Sequence, residues 1–350
     1  MNKLKLAVTG AGMIGKNHIA LIEQSADCEL AAIVEPGELA PELQQYGDIV
    51  VADLAEVLSA GQVDGVILAT PNALHVRQAL QCLEAGVPAL IEKPVADSVA
   101  DGEQLLARVR QSGLSFLVGH HRMYSPIMVK AREVVDSGVL GELVAVNGSA
   151  LFHKPDAYFE QGAWRSKAGG GPILINMIHE VGNLRYLCGE IVAVQALQSN
   201  TRRGFEVEDS AAMVFSFASG ALGTFMLSDC AASPRSWEQT SQENPAYPAY
   251  PLEDCYHLAG TRGSLSVPSM QLHHYGESEA SWWQPFVTES VDLQRADPLA
   301  LQLQHFCQVI RGEAEPRVSV YDGLQNLRVT EALSKAAASG EKVYIDSISE

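Results

Sequence analysis

Along the first 122 residues, short apolar runs alternate with stretches of helical period. The runs KLAVTG, ELAAIVE, DIVVA, GVILAT, PALIEK and SFLVGH are nearly unbroken in apolarity. Strands buried on both faces read this way. Between them, residues 72–85 (NALHVRQALQCLEA) and 98–111 (SVADGEQLLARVRQ) place apolar residues at helical spacing. Strands alternating with helices predict βαβ units and a doubly wound parallel sheet. Past residue 123 the rhythm changes. A helix over 126–136 leads to a strand, ELVAVNGSALF, and then to GGGPILINMIHEVG at 169–182. Five further apolar runs, VAVQALQ, DSAAMVFSFA, ALGTFMLSD, CYHLAG and SLSVP, precede MQLHHY and two closing helices at 298–311 and 322–339. The Ser-Gly pair of FASGALG suits a hairpin turn. The expectation is therefore an α/β chain. A Rossmann domain would span residues 1–122, and residues 123–350 would form an α+β domain. That second domain would hold a large, mostly antiparallel, open-faced sheet. Residues 233–251, with four prolines, two tyrosines and a tryptophan, form the one long irregular segment, which suits either a lid or a surface insertion.

Charge narrows the partners. The 350 residues carry a formal net charge of −18 without a basic block, so nucleic acid is not expected as a partner. No apolar run reaches membrane-spanning length, and the opening MNKLKLAVTGAGMIG is not read as a signal peptide. Cysteines 28, 82, 188, 230, 255 and 307 are scattered without a CxxC pair. That argues for reduced thiols in a cytoplasmic protein and against a metal site. Few helices remain to cover the second sheet, so its open face is expected to be buried in a homodimer or homotetramer.

The chemistry begins at the first turn. Gly10, Gly12 and Gly15 form a G-x-G-x-x-G enclosing Met13 and Ile14, with a strand before it and an apolar helix pattern after it. Glu35 lies 20 residues beyond Gly15, at the end of the second strand. This is the dinucleotide fingerprint in its proper context. Gly10 would allow the tight turn, Gly12 the approach of a pyrophosphate to the helix N-terminus, and Gly15 close helix–strand packing. A carboxylate at Glu35 accepts ribose hydroxyls and repels a 2′-phosphate, and Pro36-Gly37-Glu38 supplies no cation to offset it. The expected cofactor is NAD.

ATPNALH (69–75) and EKPVA (92–96) close the fourth and fifth apolar runs, at the strand ends where open α/β sheets bind ligands. Together with GAGMIG, AWR (163–165), the GGG-led segment, AGTRGSL (259–265) and YDGLQNLRV (321–329), they resemble the glucose–fructose oxidoreductase, inositol dehydrogenase and MocA (Gfo/Idh/MocA) family over nearly the whole chain. The resemblance implies a set of roles. Lys93 would sit beside the nicotinamide and the reacting hydroxyl, and Pro94 would follow a cis bond. Thr70, Pro71 and Asn72 would line the nicotinamide side, with His75 and Glu92 of the same motifs counted among the cofactor-binding residues. Trp164 and Arg165 would reach the cofactor from the second domain, and His179 would be catalytic. His75, His120 and His121 suit the cleft and simple packing equally.

These residue types fit the chemistry. Oxidising an alcohol needs a hydride acceptor, which NAD supplies, and a proton acceptor, which a histidine provides near neutral pH. A lysine ammonium stabilises the developing alkoxide. The chain departs from the family at one position. Many members carry an aspartate four residues before the histidine, and here that residue is Ile175. Asn176 lies three before His179, on roughly the same helical face, and would orient substrate by hydrogen bonding. Glu180 points about 100° away, leaving Glu243 and Asp156 as possible replacements. Pro172 suits the first turn of this helix, and the glycines before it would admit cofactor or substrate. His153, Lys154, Trp237 and Tyr247 would suit a hydroxylated or acidic ligand.

The function expected is NAD-dependent hydride transfer at a secondary alcohol or ketone of a sugar, polyol, sugar acid or cyclic diol, with Lys93 and His179 in proton transfer. An NAD-dependent glycoside hydrolase working by transient oxidation and a non-catalytic nucleotide-responsive binding protein are the competing readings. Michaelis constants for the two cofactors test the role of Glu35. NAD should be favoured over NADP on the order of tenfold or more, the scale of one like-charge contact near a surface, and an NADP preference would overturn it.

Overall fold

The apolar runs of the first half do lie side by side. In the computed structural model, which describes residues 2–345, they form β1 (Leu4–Thr9), β2 (Cys28–Val34), β3 (Val50–Val51), β4 (Gly65–Leu68), β5 (Ala89–Ile91) and β6 (Phe116–Val118). The strand order is β3-β2-β1-β4-β5-β6, and every pair is parallel. All of β4 and β5 is buried, as strands covered on both faces must be. Four crossovers are α1 (Met13–Gln24), α2 (Leu54–Ala60), α3 (Asn72–Glu84) and α4 (Val99–Ser112), and the fifth, between β2 and β3, is the 3-10 helix Pro41–Ile49. Their starts are legible in the chain. Asp53 and Glu56 make a capping box on α2, and Ser98 accepts the Asp101 N–H at the start of α4.

The chain continues through α5 (Pro126–Asp136), β7 (Leu143–Leu151) and the short α6 (Asp156–Glu160). A π-helical stretch, Ile173–Met177, then runs into α7 (Ile178–Cys188). After β8 (Ile191–Ser199), β9 (Ser210–Phe217), β10 (Leu222–Ser228) and α8 (Trp237–Thr240) come β11 (Tyr256–Gly260), β12 (Gly263–Val267), β13 (Gln271–His274) and β14 (Val287–Ser290). The remaining elements are α9 (Pro298–Ile310), α10 (Val320–Ser339) and β15 (Val343–Tyr344). The second sheet runs β14-β13-β12-β11-β7-β10-β9-β8-β15. Its pairs are antiparallel except β7 with β10, because the excursion through α7, β8 and β9 brings the chain back in its original direction. The FASGALG segment is the β9–β10 hairpin.

The two faces of this sheet differ. One buries Phe215, Phe225, Leu227, Tyr256 and Leu258, and α7 lies on it. There the Asn183 amide donates to the Tyr256 hydroxyl at 2.7 Å, and that hydroxyl donates to the buried Glu180. The other face leaves Leu197, Val214, Leu222 and Met226 exposed, with Tyr344 at its edge. The alternation of buried and exposed residues along β9 and β10 separates the two.

The chain forms two compact units whose limits differ from a simple cut after residue 122. One runs to Tyr124 and also takes in Pro298–Leu327; the other holds Ser125–Asp297 and the chain from Arg328. Packing explains the return. A side chain at Gly65 of β4 would meet Ile310 and Phe306 of α9, and one at Gly102 of α4 would meet Leu324 of α10. Arg311 reaches Asp27 at 3.4 Å, and the Asn326 amide lies 3.2 Å from the His120 ring. Nothing in the helical period of 298–327 marks this destination. The segment 233–251 is anchored and carries α8. Its Ser236, Trp237, Thr240 and Ser241 are buried. Trp237, expected in a ligand cleft, packs on Tyr256 and donates to Glu243 at 3.0 Å instead. Among the described residues, no helix is long and apolar enough to cross a membrane.

Candidate active site

In the first unit the glycine turn is closed toward the sheet and open at the start of α1. Gly10 has φ +83°, and a Cβ there would stand 2.7 Å from the Ala69 carbonyl oxygen. A Cβ on Gly15 would stand 1.9 Å from the Gly10 oxygen, so helix and turn touch. Around Gly12 nothing lies within 4 Å of a built Cβ, and no side chain caps α1. The amides of that first turn, beginning with Met13 and Ile14, thus face space suited to a pyrophosphate. Glu35 closes the opposite side. Its Oε2 accepts the Ala11 N–H at 2.9 Å and its Oε1 the Gly37 N–H at 3.1 Å. Lys16, also in the first turn of α1, is paired with Glu42 at 2.6 Å. The turn therefore suits a dinucleotide with free ribose hydroxyls.

The two strand-end motifs are tied together by buried polar groups. The Lys93–Pro94 peptide is cis. The His75 ring is 1 % exposed and bridges two carbonyls, with Nδ1 2.8 Å from the Pro94 oxygen and Nε2 2.9 Å from the Thr70 oxygen. It thereby positions the two turns against each other. The Thr70 hydroxyl donates to Gln78 at 2.7 Å, while Pro71 and Asn72 open α3. Glu92 is buried and accepts from His18 Nε2 at 2.8 Å. Burial alone would push its carboxyl up, but the His18 hydrogen bond and the charges of His18, His121 and Lys93 outweigh that and hold it below the ordinary carboxylate value. Lys93 itself is half-buried beside this carboxylate. His120 is buried, with its Nε2 3.2 Å from the Asn326 amide. His18 and Gln78 were not singled out in the sequence. Their signal was a polar side chain on the buried stripe of a helix, where Gly15, Ile19 and Ile22 accompany His18.

In the second unit the helix bearing His179 starts with a π turn. Each residue of an i→i+5 turn advances less than the roughly 100° of an α-helix. Ile175 therefore comes closer to alignment with His179, and Asn176 swings away from it. The position that an acid would fill is the isoleucine. Neither proposed substitute takes its place. Glu243 bonds Ser125 and Trp237, and the exposed Asp156 lies 3.7 Å from Arg203. Asn176 accepts from the Lys154 ammonium at 2.7 Å. Two of the three glycines make room for the protein itself, while nothing lies within 4 Å of a Cβ built on Gly169. A Cβ at Gly170 would collide with the carbonyls of Trp164 and Arg165, and one at Gly171, where φ is +82°, with the Glu208 carboxylate. Glu208 accepts the Ile173 N–H at 2.7 Å at the helix start, and burial pushes its carboxyl up. Trp164 is exposed. Arg165 stacks 3.9 Å above the Tyr158 ring and donates to the Tyr158 carbonyl. Arg203 and Asp229 form a buried pair at 2.7 Å. Burial raises the Asp229 carboxyl while Arg203 and Lys154 oppose the rise.

With this geometry in view, comparison with known proteins is specific. A sequence model described as an oxidoreductase family with an NAD-binding Rossmann fold matches residues 4–120, and one described as the GFO/IDH/MocA C-terminal domain matches residues 128–266. The chain is 24% identical to scyllo-inositol 2-dehydrogenase (NAD(+)) of Bacillus subtilis, over 99% of this chain and 97% of that protein. Its fold matches the WlbA dehydrogenase of Bordetella pertussis, crystallised with NADH and UDP-GlcNAcA, with a TM-score of 0.77, 22% identity and coverage of 99% and 100%. It also matches an Agrobacterium radiobacter oxidoreductase, crystallised with NAD+, L-tartaric acid and magnesium, with a TM-score of 0.81, 19% identity and coverage of 98% and 99%.

The buried Glu92 yields a test of pH dependence. Its folded value is depressed, so the stability it contributes is present above the unfolded value and is lost as pH falls through the folded one. Urea midpoints measured in steps below pH 4.5, the ordinary value, should fall more steeply for the wild type than for Glu92→Gln. Parallel acid limbs would show that the pairing with His18 contributes nothing.

Proposed function

Because the chain belongs to the Gfo/Idh/MocA family of oxidoreductases with an NAD-binding Rossmann fold, we propose that it acts at a secondary alcohol or ketone carbon of a sugar, polyol, sugar acid or cyclic diol. NAD, when bound, supplies the hydride acceptor or donor. The observation that carries the reading lies in the first unit, where the open α1 terminus at Gly12 and the Lys93 turn stand on the same carboxyl edge of one parallel sheet. Substrate bound at that edge meets the Lys93 ammonium, which stabilises negative charge on the reacting oxygen. His179 accepts or returns the hydroxyl proton, and Asn176 orients the substrate. Thr70, Pro71, Asn72, Trp164 and Arg165 contact the cofactor. The exposed apolar face of the second sheet supports assembly into a homodimer or homotetramer. The free cysteines, five of them buried, support a reducing, cytoplasmic setting.

Lys93→Ala and His179→Ala should each lower kcat on the order of 10²- to 10⁴-fold while NAD still binds in a fluorescence titration. Turnover close to wild type in either variant would refute its role. Light scattering should give a mass of two or four chains, reduced by Leu197→Asp on the open face. A wild-type monomer would refute the assembly.

A further inference from the structure

In the second unit a lysine and an amide meet at the π turn that leads into the His179 helix. Lys154 follows β7 closely, and its main chain is held at both ends. Its N–H donates to the Asp229 carbonyl at 2.8 Å, and its own carbonyl accepts from Arg203 at 2.8 Å. The ammonium lies 4.8 Å from the Tyr158 ring centroid and 5.5 Å from that of Phe152. These rings steady a cation and keep it partly dry. It donates to Asn176 Oδ1 at 2.7 Å. A lysine has no acceptor, so the amide oxygen must face it and the amide NH₂ faces elsewhere as a donor. The acids nearby are committed. Glu208 takes the Ile173 N–H, Asp229 pairs with Arg203, and Glu180 is buried under Tyr256. Ile175 fills the place nearest to alignment with His179. Lys154 and Arg203 bring two positive charges here, Asp229 and the exposed Asp156 bring two negative ones, and both acids stand against Arg203.

We propose that Lys154 and Asn176 form a carboxylate-recognition subsite at the π turn that leads into the helix carrying His179, so that the substrate is a polyhydroxy acid of the aldonic or uronic type. This rests on the reading that His179 faces the substrate. A carboxylate accepts charge-assisted hydrogen bonds from both groups. A neutral polyol would gain only singly charge-assisted hydrogen bonds from the ammonium.

Matched pairs differing only in the acid group test this: D-gluconate with D-glucitol, D-glucuronate with D-glucose, and D-galacturonate with D-galactose. Each is assayed with NAD on the wild type, Lys154→Met and Lys154→Arg. The wild type should favour the acids. Lys154→Met should cut the acid-to-neutral ratio of kcat/KM by about ten- to a hundredfold, the scale of one hydrogen bond to a charged group, chiefly through KM. Lys154→Arg should keep most of the ratio, which a purely structural lysine would not explain. In parallel, each acid is titrated calorimetrically onto the NADH-loaded protein. Preference for neutral partners, or a ratio unmoved in Lys154→Met, overturns the subsite and leaves the oxidoreductase reading intact. Lys154-dependent binding of an acid without turnover of any pair supports the subsite and counts against Lys93 and His179 as a catalytic pair. Neither binding nor turnover of any acid overturns the subsite.

Discussion

One buried carboxylate organises the nucleotide-binding half. Glu92 follows β5 directly, where water cannot solvate it, and an ionised carboxyl there is costly unless positive groups meet it. His18 meets it from the inner stripe of α1, at 2.8 Å. The pair therefore connects the helix that opens with Gly12 to the turn that presents Lys93. Gly119 answers the same constraint, since any Cβ there would press on the Glu92 carboxylate. His75 repeats the device one strand over, joining the turn after β4 to the cis turn after β5 through two carbonyls. The cofactor edge is thus held by imidazoles that need not touch a cofactor themselves.

Much of this half was legible in the chain because its signals are local. Glycine spacing, a strand before and a helix after, and an acid at the next strand end all lie within 35 residues, and the structure places Glu35 against the glycine turn. The sheet class and the positions of α3, α4 and α5 followed from periodicity alone. The partners of Glu92 did not, because His18 lies 74 residues away and sequence carries no distance. The allegiance of α9 was hidden for the same reason: its apolar stripe shows that it packs, but not on what.

The second half was read less fully, and its misreadings have physical causes. A π turn has the same apolar composition as an α turn, so the register of Asn176 and Ile175 against His179 was taken from the wrong helix. The three glycines looked like room for a ligand, yet two of them admit the carbonyls of the Trp164–Arg165 turn and the Glu208 carboxylate. Trp237 sits in a proline-rich segment that resembles a surface loop, but its ring is core to this sheet. What the chain did show was the isoleucine four residues before His179, and in the structure the residue after it, Asn176, holds the Lys154 ammonium.

The return of Pro298–Leu327 to the first unit has a consequence for how this protein can be cut and recombined. The chain passes from one unit to the other after Tyr124, after Asp297 and again after Leu327. No single uninterrupted stretch of polypeptide contains the nucleotide half with its packing complete. A module bounded near residue 122 would leave the floor beneath Gly65 and Gly102 uncovered. Any chimera that grafts a different second unit onto this nucleotide-binding one must therefore be joined at three seams, the last of them in the middle of α10.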